Sequence, residues 1–429
     1  MQNSLTKKLG LTVATIAMAA TSMFTTTDAE AVPAFARQTG MTCNSCHFQA
    51  FPALNGMGRS FRSGGYTMKG TQTSIEGENI DLPSTLNMAV FWKAYYITGE
   101  DEVANLVWQD EAVMFAAGRV AASAGFLMEL GLVVEADGTT AAEGESTSVE
   151  GTQFSNAKVQ FNVAQAGSVN ISVVPWSTDA AGRNFGMELM NTVGQRSQRP
   201  IEKRYAMSPG AVLGITQGAA TGININAADL GTGYSASYIM WGPVHNGGNV
   251  NLTGMASSIR VAYFMDLAGF DTGIAIGQTI GDTVHSSSDD GATQDYDYVV
   301  GGSTFDFQMQ GQIAGGDFGF YLQQATAADS ADIAASTTSL TVASSGAGIT
   351  AGGGSGLGYL LKYSITPAIQ AHYASNTTTE DTTATAYTSV GVDYMVAENL
   401  RLQAFNYTEA PDDGSDATTH TYMGWNIGF

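Results

Sequence analysis

Two cysteines and a histidine stand within five residues, Cys43-Asn44-Ser45-Cys46-His47, and no other cysteine occurs in the 429-residue chain. Thiols at this spacing beside an imidazole suit covalent attachment of c-type haem. The two sulfurs add to the vinyl groups and His47 ligates the iron from the proximal face. Other chemistries use the same residues. A thioredoxin-like pair belongs at a helix start in a βαβ unit, which the flanking sequence does not suggest, and zinc needs a fourth ligand beyond these three. A simple disulfide leaves His47 without a purpose.

Haem attachment takes place outside the cytoplasm, so export is the first thing the chain must provide. Lys7 and Lys8 precede the apolar run LGLTVATIAMAATSMF, and Ala29-Glu30-Ala31 offers a small-x-small cleavage site. Residues 1–31 therefore read as a secretory signal. Its removal takes away two bases and two acids and leaves the net charge at −22. That charge argues against nucleic acid and anionic lipid headgroups as partners and for the attraction of cations.

No later stretch of about 20 apolar residues follows, so helical membrane spans are excluded. An exported, Cys-poor chain with 51 glycines and only 13% charged residues suits a closed β-barrel. From residue 84 onward, segments of about ten alternating residues are separated by turns. Phe305, Phe307, Met309 and Ile313 share one face and Asp306, Gln308, Gln310 and Gln312 the other. Ala157, Val159, Phe161 and Val163 likewise oppose Lys158, Gln160 and Asn162. Short turns near 122–124, 165–167, 229–232, 266–268, 315–316, 365–367 and 396–398 alternate with long polar connections. The long ones fall near 99–110, 137–151, 178–209, 243–253, 282–296, 328–352, 377–383 and 411–418. The expectation is an all-β fold: a transmembrane antiparallel β-barrel of about 16 strands over 84–429. A small haem-bearing plug over 32–83 precedes it, and both barrel ends lie on the short-turn, periplasmic side. Met423, Trp425, Ile427 and Phe429 on one face of the last strand resemble the terminal signal of outer-membrane proteins. Trp92, Tyr95, Tyr96, Trp241 and Tyr263 read as aromatic-girdle residues.

The segment VPAFARQTGMTCNSCH, then FPALN, Gly58-Arg59 and GGYTM, ahead of a sixteen-strand barrel, resembles the outer-membrane cytochrome-porin fusions of iron-oxidising bacteria. The resemblance is specific in the N-terminal 40 mature residues and architectural in the barrel. It implies one covalently attached haem c, oxidation of extracellular Fe(II), a soluble periplasmic cytochrome as electron acceptor, and an outer-membrane location in contact with lipid. About 50 residues are too few to enclose a haem in a cytochrome fold of their own. A wide barrel lumen needs filling, so the haem is expected inside the barrel or at its mouth.

Cys43, Cys46 and His47 are the attachment and proximal residues. For the distal face of the iron Met68 is the first candidate and Met57 the second, with Met41 the remaining local thioether. Arg37, Arg59 and Arg62 are candidates for pairing with the haem propionates, Arg59 foremost. Asn55, Gly56 and Gly58 are expected to let backbone approach the porphyrin. Arg183, Arg196, Arg199, Lys203 and Arg204 suit either a constriction loop or a solvated outer loop. Glu100, Asp101, Glu102, Asp110, Glu111, Asp289, Asp290, Asp295, Asp297, Asp412, Asp413 and Asp416 are read as outer-loop acids that raise local cation concentration. His372 and His420 are placed on the inner wall. Two other functions share these features: a solute channel with a regulatory haem plug, and an outward electron conduit.

Overall fold

Alternation of polar and apolar residues forces each segment to present one face to lipid and one to the lumen, and a closed sheet satisfies every backbone donor and acceptor between those faces. In the computed structural model the described residues are 34–70, 72–78, 80–99, 105–132, 153–178, 181–192, 207–216, 220–230, 233–242, 254–280, 282–289, 292–299, 301–328, 353–380 and 383–429. The secretory signal expected over 1–31 lies outside them.

Three short helices open the chain, α1 (Ala34–Thr39), α2 (Cys43–Cys46) and α3 (Gly56–Ser63). A small hairpin follows, β1 (Ser74–Gly77) with β2 (Ile80–Pro83). The strands β3 (Met88–Gly99), β4 (Asn105–Ala121), β5 (Ala124–Gly131), β6 (Gln153–Ala166) and β7 (Val169–Thr178) lead to a further helix, α4 (Pro209–Val212). Then come β8 (Ala220–Asp229), β9 (Gly233–Gly242), β10 (Ala256–Leu267) and β11 (Phe270–Ile280). A separate hairpin, β12 (Asp282–Asp289) with β13 (Ala292–Val299), precedes β14 (Gly302–Ile313) and β15 (Gly316–Ala327). The chain finishes with β16 (Gly354–Thr366), β17 (Ile369–Glu380), β18 (Thr383–Ala397), β19 (Leu400–Pro411) and β20 (Thr418–Gly428).

Strands β3 to β11 and β14 to β20 form one closed antiparallel barrel of sixteen among the described residues. It closes where β20 pairs with β3, and Phe429 completes the seam by exchanging backbone hydrogen bonds with Val90. The register follows the sequence pattern. Asp306, Gln308 and Gln310 are buried in the lumen while Phe305 is 43% exposed on the outside. Ile225, Ile276, Tyr263, Leu357 and Val390 share that outer surface. An apolar exterior on a closed sheet places this barrel in the outer membrane, with its short turns and both barrel ends on the periplasmic side.

Several expectations shift. The connection expected at 377–383 is mostly strand, because β17 runs to Glu380 and β18 resumes at Thr383. Much of 99–110 is strand as well, through an irregularity where Lys93 pairs Glu111 but Tyr95 pairs Val107. That bulge turns Glu111 inward, where it meets Lys93 at 3.6 Å instead of joining an outer acidic loop. Segment 282–299 forms the β12–β13 hairpin. Tyr95 and Trp241 are not girdle residues. Trp241 is buried in the lumen against Val174, Trp176 and Phe185, and Tyr95 packs on the inner wall.

The lumen is filled from two directions. Residues 34–83 enter from the periplasmic side, and 181–192 and 207–216 fold inward from the connection between β7 and β8. Glu188 of that connection and Asp306 of β14 share Arg260, at 3.0 and 2.6 Å. The Asn191 side chain both accepts from the Leu54 N–H and donates to its carbonyl, at 2.9 and 2.8 Å, so the inserted connection grips the plug. Ser208 and the Gly210 N–H both donate to Gln323 Oε1.

Removing one partner of a buried ion pair leaves a charge without compensation and costs about 3–5 kcal/mol. Asp306→Leu should lower the unfolding midpoint in detergent by that order, whereas Ile276→Leu on the lipid face should change it by under about 1 kcal/mol. Equal midpoints for the two variants would refute the structural weight given to the Arg260 cluster.

Candidate functional site

The haem-type motif folds because Cys43–Cys46 can make only one helical turn, which places the two sulfurs, three residues apart, on one face. Both thiols are free and half-buried. The turn is tied down at its start. The Glu398 carboxylate, from the short connection between β18 and β19, accepts from the Cys43 backbone N–H at 3.0 Å and from Asn44 Nδ2 at 3.1 Å. Burial, and after it the Glu398 charge, pushes the Cys43 thiol up to about 12. Burial also raises Cys46.

His47 leaves the turn in extended backbone and bridges to Leu54. Its Nδ1–H donates to the Ala53 carbonyl at 3.2 Å. A carbonyl can only accept, so this bond puts the proton on Nδ1 and leaves Nε2 with its lone pair. Burial holds the ring near a pKa of about 4, hence neutral at physiological pH. A neutral imidazole with one nitrogen anchored is the form that binds a metal.

Asn55 clasps the motif from behind. Its Oδ1 caps α3 at the Gly58 N–H, while its amide donates to the Ser45 carbonyl at 3.1 Å. Gly58 is required by a backbone contact, since a Cβ there would lie 2.1 Å from the Cys46 carbonyl oxygen. The close approach expected between these residues and a porphyrin is thus, for Gly58, an approach of α3 to α2.

Cys43, Cys46 and His47 all line one cavity between the plug and the barrel wall. Phe35, Phe61 and Tyr66 supply its plug side and Phe91, Phe115 and Leu127 its barrel side. Phe35 stacks on Tyr66 with centroids 4.7 Å apart, and Phe51 stands edge-on to His47 at 5.4 Å. Flat apolar walls, two free thiols and an imidazole presenting Nε2 are the donor set and surroundings a covalently bound haem c requires. The residues fit that group.

The remaining candidates divide. Of the three plug arginines only Arg62 lines the cavity, donating to the Phe185 carbonyl at 3.2 Å. Arg59, the foremost candidate for a propionate, is wholly buried elsewhere. Its guanidinium donates to both carboxylate oxygens of Asp271 on β11, at 2.8 and 2.7 Å, and lies 4.5 Å from the Phe264 ring centroid. Arg37 donates to the Met88 carbonyl at the barrel rim. Met68 and Met57 are absent from the cavity lining; Met41 is present, together with Met395 of β18. The Met68 carbonyl instead accepts from Gln38, whose Oε1 reaches the Arg119 N–H on β4.

The sequence pattern alone did not single out Lys158 and Arg401, both cavity-lining and buried. Lys158 Nζ donates to the Phe185 carbonyl at 3.0 Å and stands 5.7 Å from the Tyr66 ring. Arg401 lies 3.5 Å from Asp393. The usable signal was a basic residue in lumenal phase. Arg183 is buried beneath Trp241, while Arg196, Arg199, Lys203 and Arg204 lie outside the described residues. So do Glu100, Asp101, Glu102 and Asp290, and the side chains of Asp110, Asp289, Asp295 and Asp297. Asp412, Asp413 and Asp416 occupy the described turn between β19 and β20, where Asp412 accepts from the Ala384 N–H. His372 and His420 both face inward as expected, His372 donating to or accepting from Ser389 at 3.1 Å.

Comparison with known proteins adds outline only. No family model matches the chain, and no curated protein matches it. Solved structures similar in outline include OmpT, an outer-membrane protein of Vibrio cholerae, with a TM-score of 0.47 at 8% identity over 83% of this chain and 100% of that one. An anion-selective porin from Comamonas acidovorans gives 0.48 at 11% identity, over 80% and 99%. The outer-membrane channel DcaP of Acinetobacter baumannii gives 0.47 at 12%, over 83% and 100%. The porin-like, outer-membrane character of this chain rests on its own strand register and apolar exterior.

Arg59→Ala should loosen the plug from β11 by about 1.5–3 kcal/mol, the worth of a hydrogen bond to a charged group, since the Asp271 carboxylate left behind is 31% exposed. Limited proteolysis after residue 59 should accelerate while the absorption spectrum of any group held by Cys43 and Cys46 stays unchanged. A spectral change with no gain in cleavage would return Arg59 to the cavity.

Proposed function

We propose that the chain is an outer-membrane c-type cytochrome that takes single electrons from extracellular Fe(II) and delivers them to a soluble periplasmic cytochrome. One observation carries the reading: Cys43, Cys46 and His47, the last with Nδ1 held by the Ala53 carbonyl, line one aromatic cavity at the periplasmic end of a filled barrel. Cys43 and Cys46 would hold the haem through thioether bonds and His47 through Nε2. The haem, when attached, supplies a one-electron couple. The chain supplies the rest. Phe35, Phe61, Phe91 and Phe115 line the cavity and would exclude water, Arg62 and Lys158 would supply positive charge for propionates, and Met41 and Met395 would supply thioethers for the iron. No general base or nucleophile is needed. Fe(II) as donor is supported by the resemblance of the N-terminal segment, by the net charge of −22 and by Asp412, Asp413 and Asp416 at the outer rim.

A second reading, a solute channel with a haem-bearing plug, is favoured by the porin-like barrel and its inward-folded connection. The barrel fold by itself supports this second reading better; the thiol and imidazole residues lining the cavity support the first.

Anaerobic mixing of the purified oxidised protein with ferrous citrate should shift the Soret band to its reduced position. Reduction by dithionite but not by ferrous citrate would rule out the iron-oxidising role. In liposome swelling the protein should admit little sugar, and sugar entry at the rate of an open porin would favour the channel. Met41→Leu or Met395→Leu should abolish the near-infrared thioether band of the oxidised protein, and Met68→Leu should leave it intact. The reverse pattern would restore Met68 as ligand.

A further inference from the structure

The inner wall carries a cluster that neither haem attachment nor lumen filling singles out. Inward positions of β19 read Arg401, Gln403, Phe405 and Tyr407, and those of β20 read Asn426, Gly424, Tyr422 and His420. Arg401 and Asn426 line the cavity. Above them the wall becomes aromatic. Tyr95 lies 5.5 Å from Tyr422, and Tyr422 stacks on Phe405 with centroids 4.7 Å apart and planes within 3°. His372 lies 6.2 Å from Phe405. The next level pairs Tyr407 with His420 at 6.3 Å and 26°, and with Tyr387 at 6.3 Å and 24°. Phe405, Tyr407 and Tyr422 share one buried cluster with Met207 of the inserted connection, so the two levels are in packing contact.

The backbone makes room for these rings. A Cβ on Gly424 would lie 2.8 Å from the Tyr95 Cβ, one on Gly391 2.3 Å from the Phe405 Cβ, and one on Gly99 2.6 Å from His420 Nδ1. Each level thus has a glycine across the strand from an aromatic ring. From Asn426 to His420 is six residues, about 20 Å along a strand. With the tilt of a membrane barrel strand, about 35–45°, that spans about half of an apolar bilayer core of about 30 Å. The lower end, at Tyr95, begins one level, about 7 Å, above the cavity wall. At the upper end Tyr407 donates to Glu409 at 3.1 Å, on the strand that leads to the turn bearing Asp412, Asp413 and Asp416.

We infer that Tyr407, His420, Phe405, Tyr422 and Tyr95 form the bridge through which an electron crosses from the outer mouth to the cavity. The inference rests on the haem reading above. Electronic coupling falls steeply across empty space and less steeply through packed atoms and stacked rings, and here two stacked levels are joined by the side-chain packing of Phe405, Tyr407 and Tyr422 in one buried cluster. One electron leaves Fe(II), which departs as Fe(III), and the haem iron passes from Fe(III) to Fe(II). No bond or proton moves, and the rings mediate without being oxidised.

The test uses the full haem-bearing protein with Ser415→Cys in the β19–β20 turn, labelled with a ruthenium trisbipyridyl photosensitiser and flashed with a sacrificial reductive quencher. Reduction of the haem is followed optically, independently of iron. The double substitution Phe405→Leu/Tyr422→Leu should slow transfer by about tenfold or more, and Tyr422→Phe, which keeps the ring, should stay within about twofold. Soret position, reduction potential and heat-modifiable gel mobility should be unchanged in all. Tyr407→Leu against Tyr407→Phe repeats the comparison should the double variant fail to assemble. Rates within about twofold for every leucine variant would overturn the bridge. If ferrous citrate fails to reduce the parent while flash transfer stays ring-dependent, the iron reading falls and the bridge stands. If ferrous citrate reduces parent and leucine variants alike, the bridge falls and the iron reading stands.

Discussion

A closed sheet of sixteen strands encloses more space than its own inward side chains fill, and the rest of the molecule answers to that surplus. Alternate residues on every strand are committed to the lumen by the pleat, and most here are polar: Gln160, Asn224, Asp306, Gln308 and Gln323 are all essentially inaccessible. Buried polar groups need partners. They find them in the plug and in the inserted connection, through Gln160 to Ser63, Gln308 to Asn191 and Gln323 to Ser208. The barrel therefore specifies its filling by hydrogen bonds together with apolar patches, some aromatic and some aliphatic, where Leu189 and Met190 or Leu213 and Ile215 of the inserted connection pack on small wall residues.

The candidate site follows from the same constraint. A plug of some 50 residues cannot surround a macrocycle, but it can supply one side of a cavity whose other side is wall. Phe91, Phe115 and Leu127 take the place of the helices that a soluble cytochrome would fold around its haem. Glu398, on a tight turn, fixes the motif to the barrel at one point, and Asn191 fixes the following segment at another. The geometry at Cys43, Cys46 and His47 is thereby set by residues up to 355 positions away in sequence.

Much of this was legible in the residues. Turn spacing gave the strand count, and period-two alternation gave the facing of Lys158, Phe161, Asp306, His372 and Tyr422, because the pleat leaves no third choice. The five-residue motif pointed to a trio, Cys43, Cys46 and His47, that lines one cavity. What the sequence did not reveal depends on long-range register or on bulges. The irregularity between Lys93 and Tyr95 turned Glu111 from an outer acid into a lumenal one. Arg59 and Arg62 are three residues apart on one short helix, yet Arg59 meets Asp271 and Arg62 the cavity. Which of them does which depends on where β11 lies relative to α3. Met68 lies outside the cavity lining for the same reason: Gln38, which reaches β4, holds its carbonyl.

The inserted connection has an implication for how such a protein could arise or be re-engineered. It starts and ends at the rim that carries the long loops, reaches down to the Leu54 backbone, and contributes Met207 to the wall cluster. Without 34–83 and the described parts of the connection, 181–192 and 207–216, the polar wall side chains that pair with them would face an open lumen. The filling is thus held in two inserts that enter from opposite sides, and opening the barrel would take the removal of both while leaving every membrane-facing residue untouched.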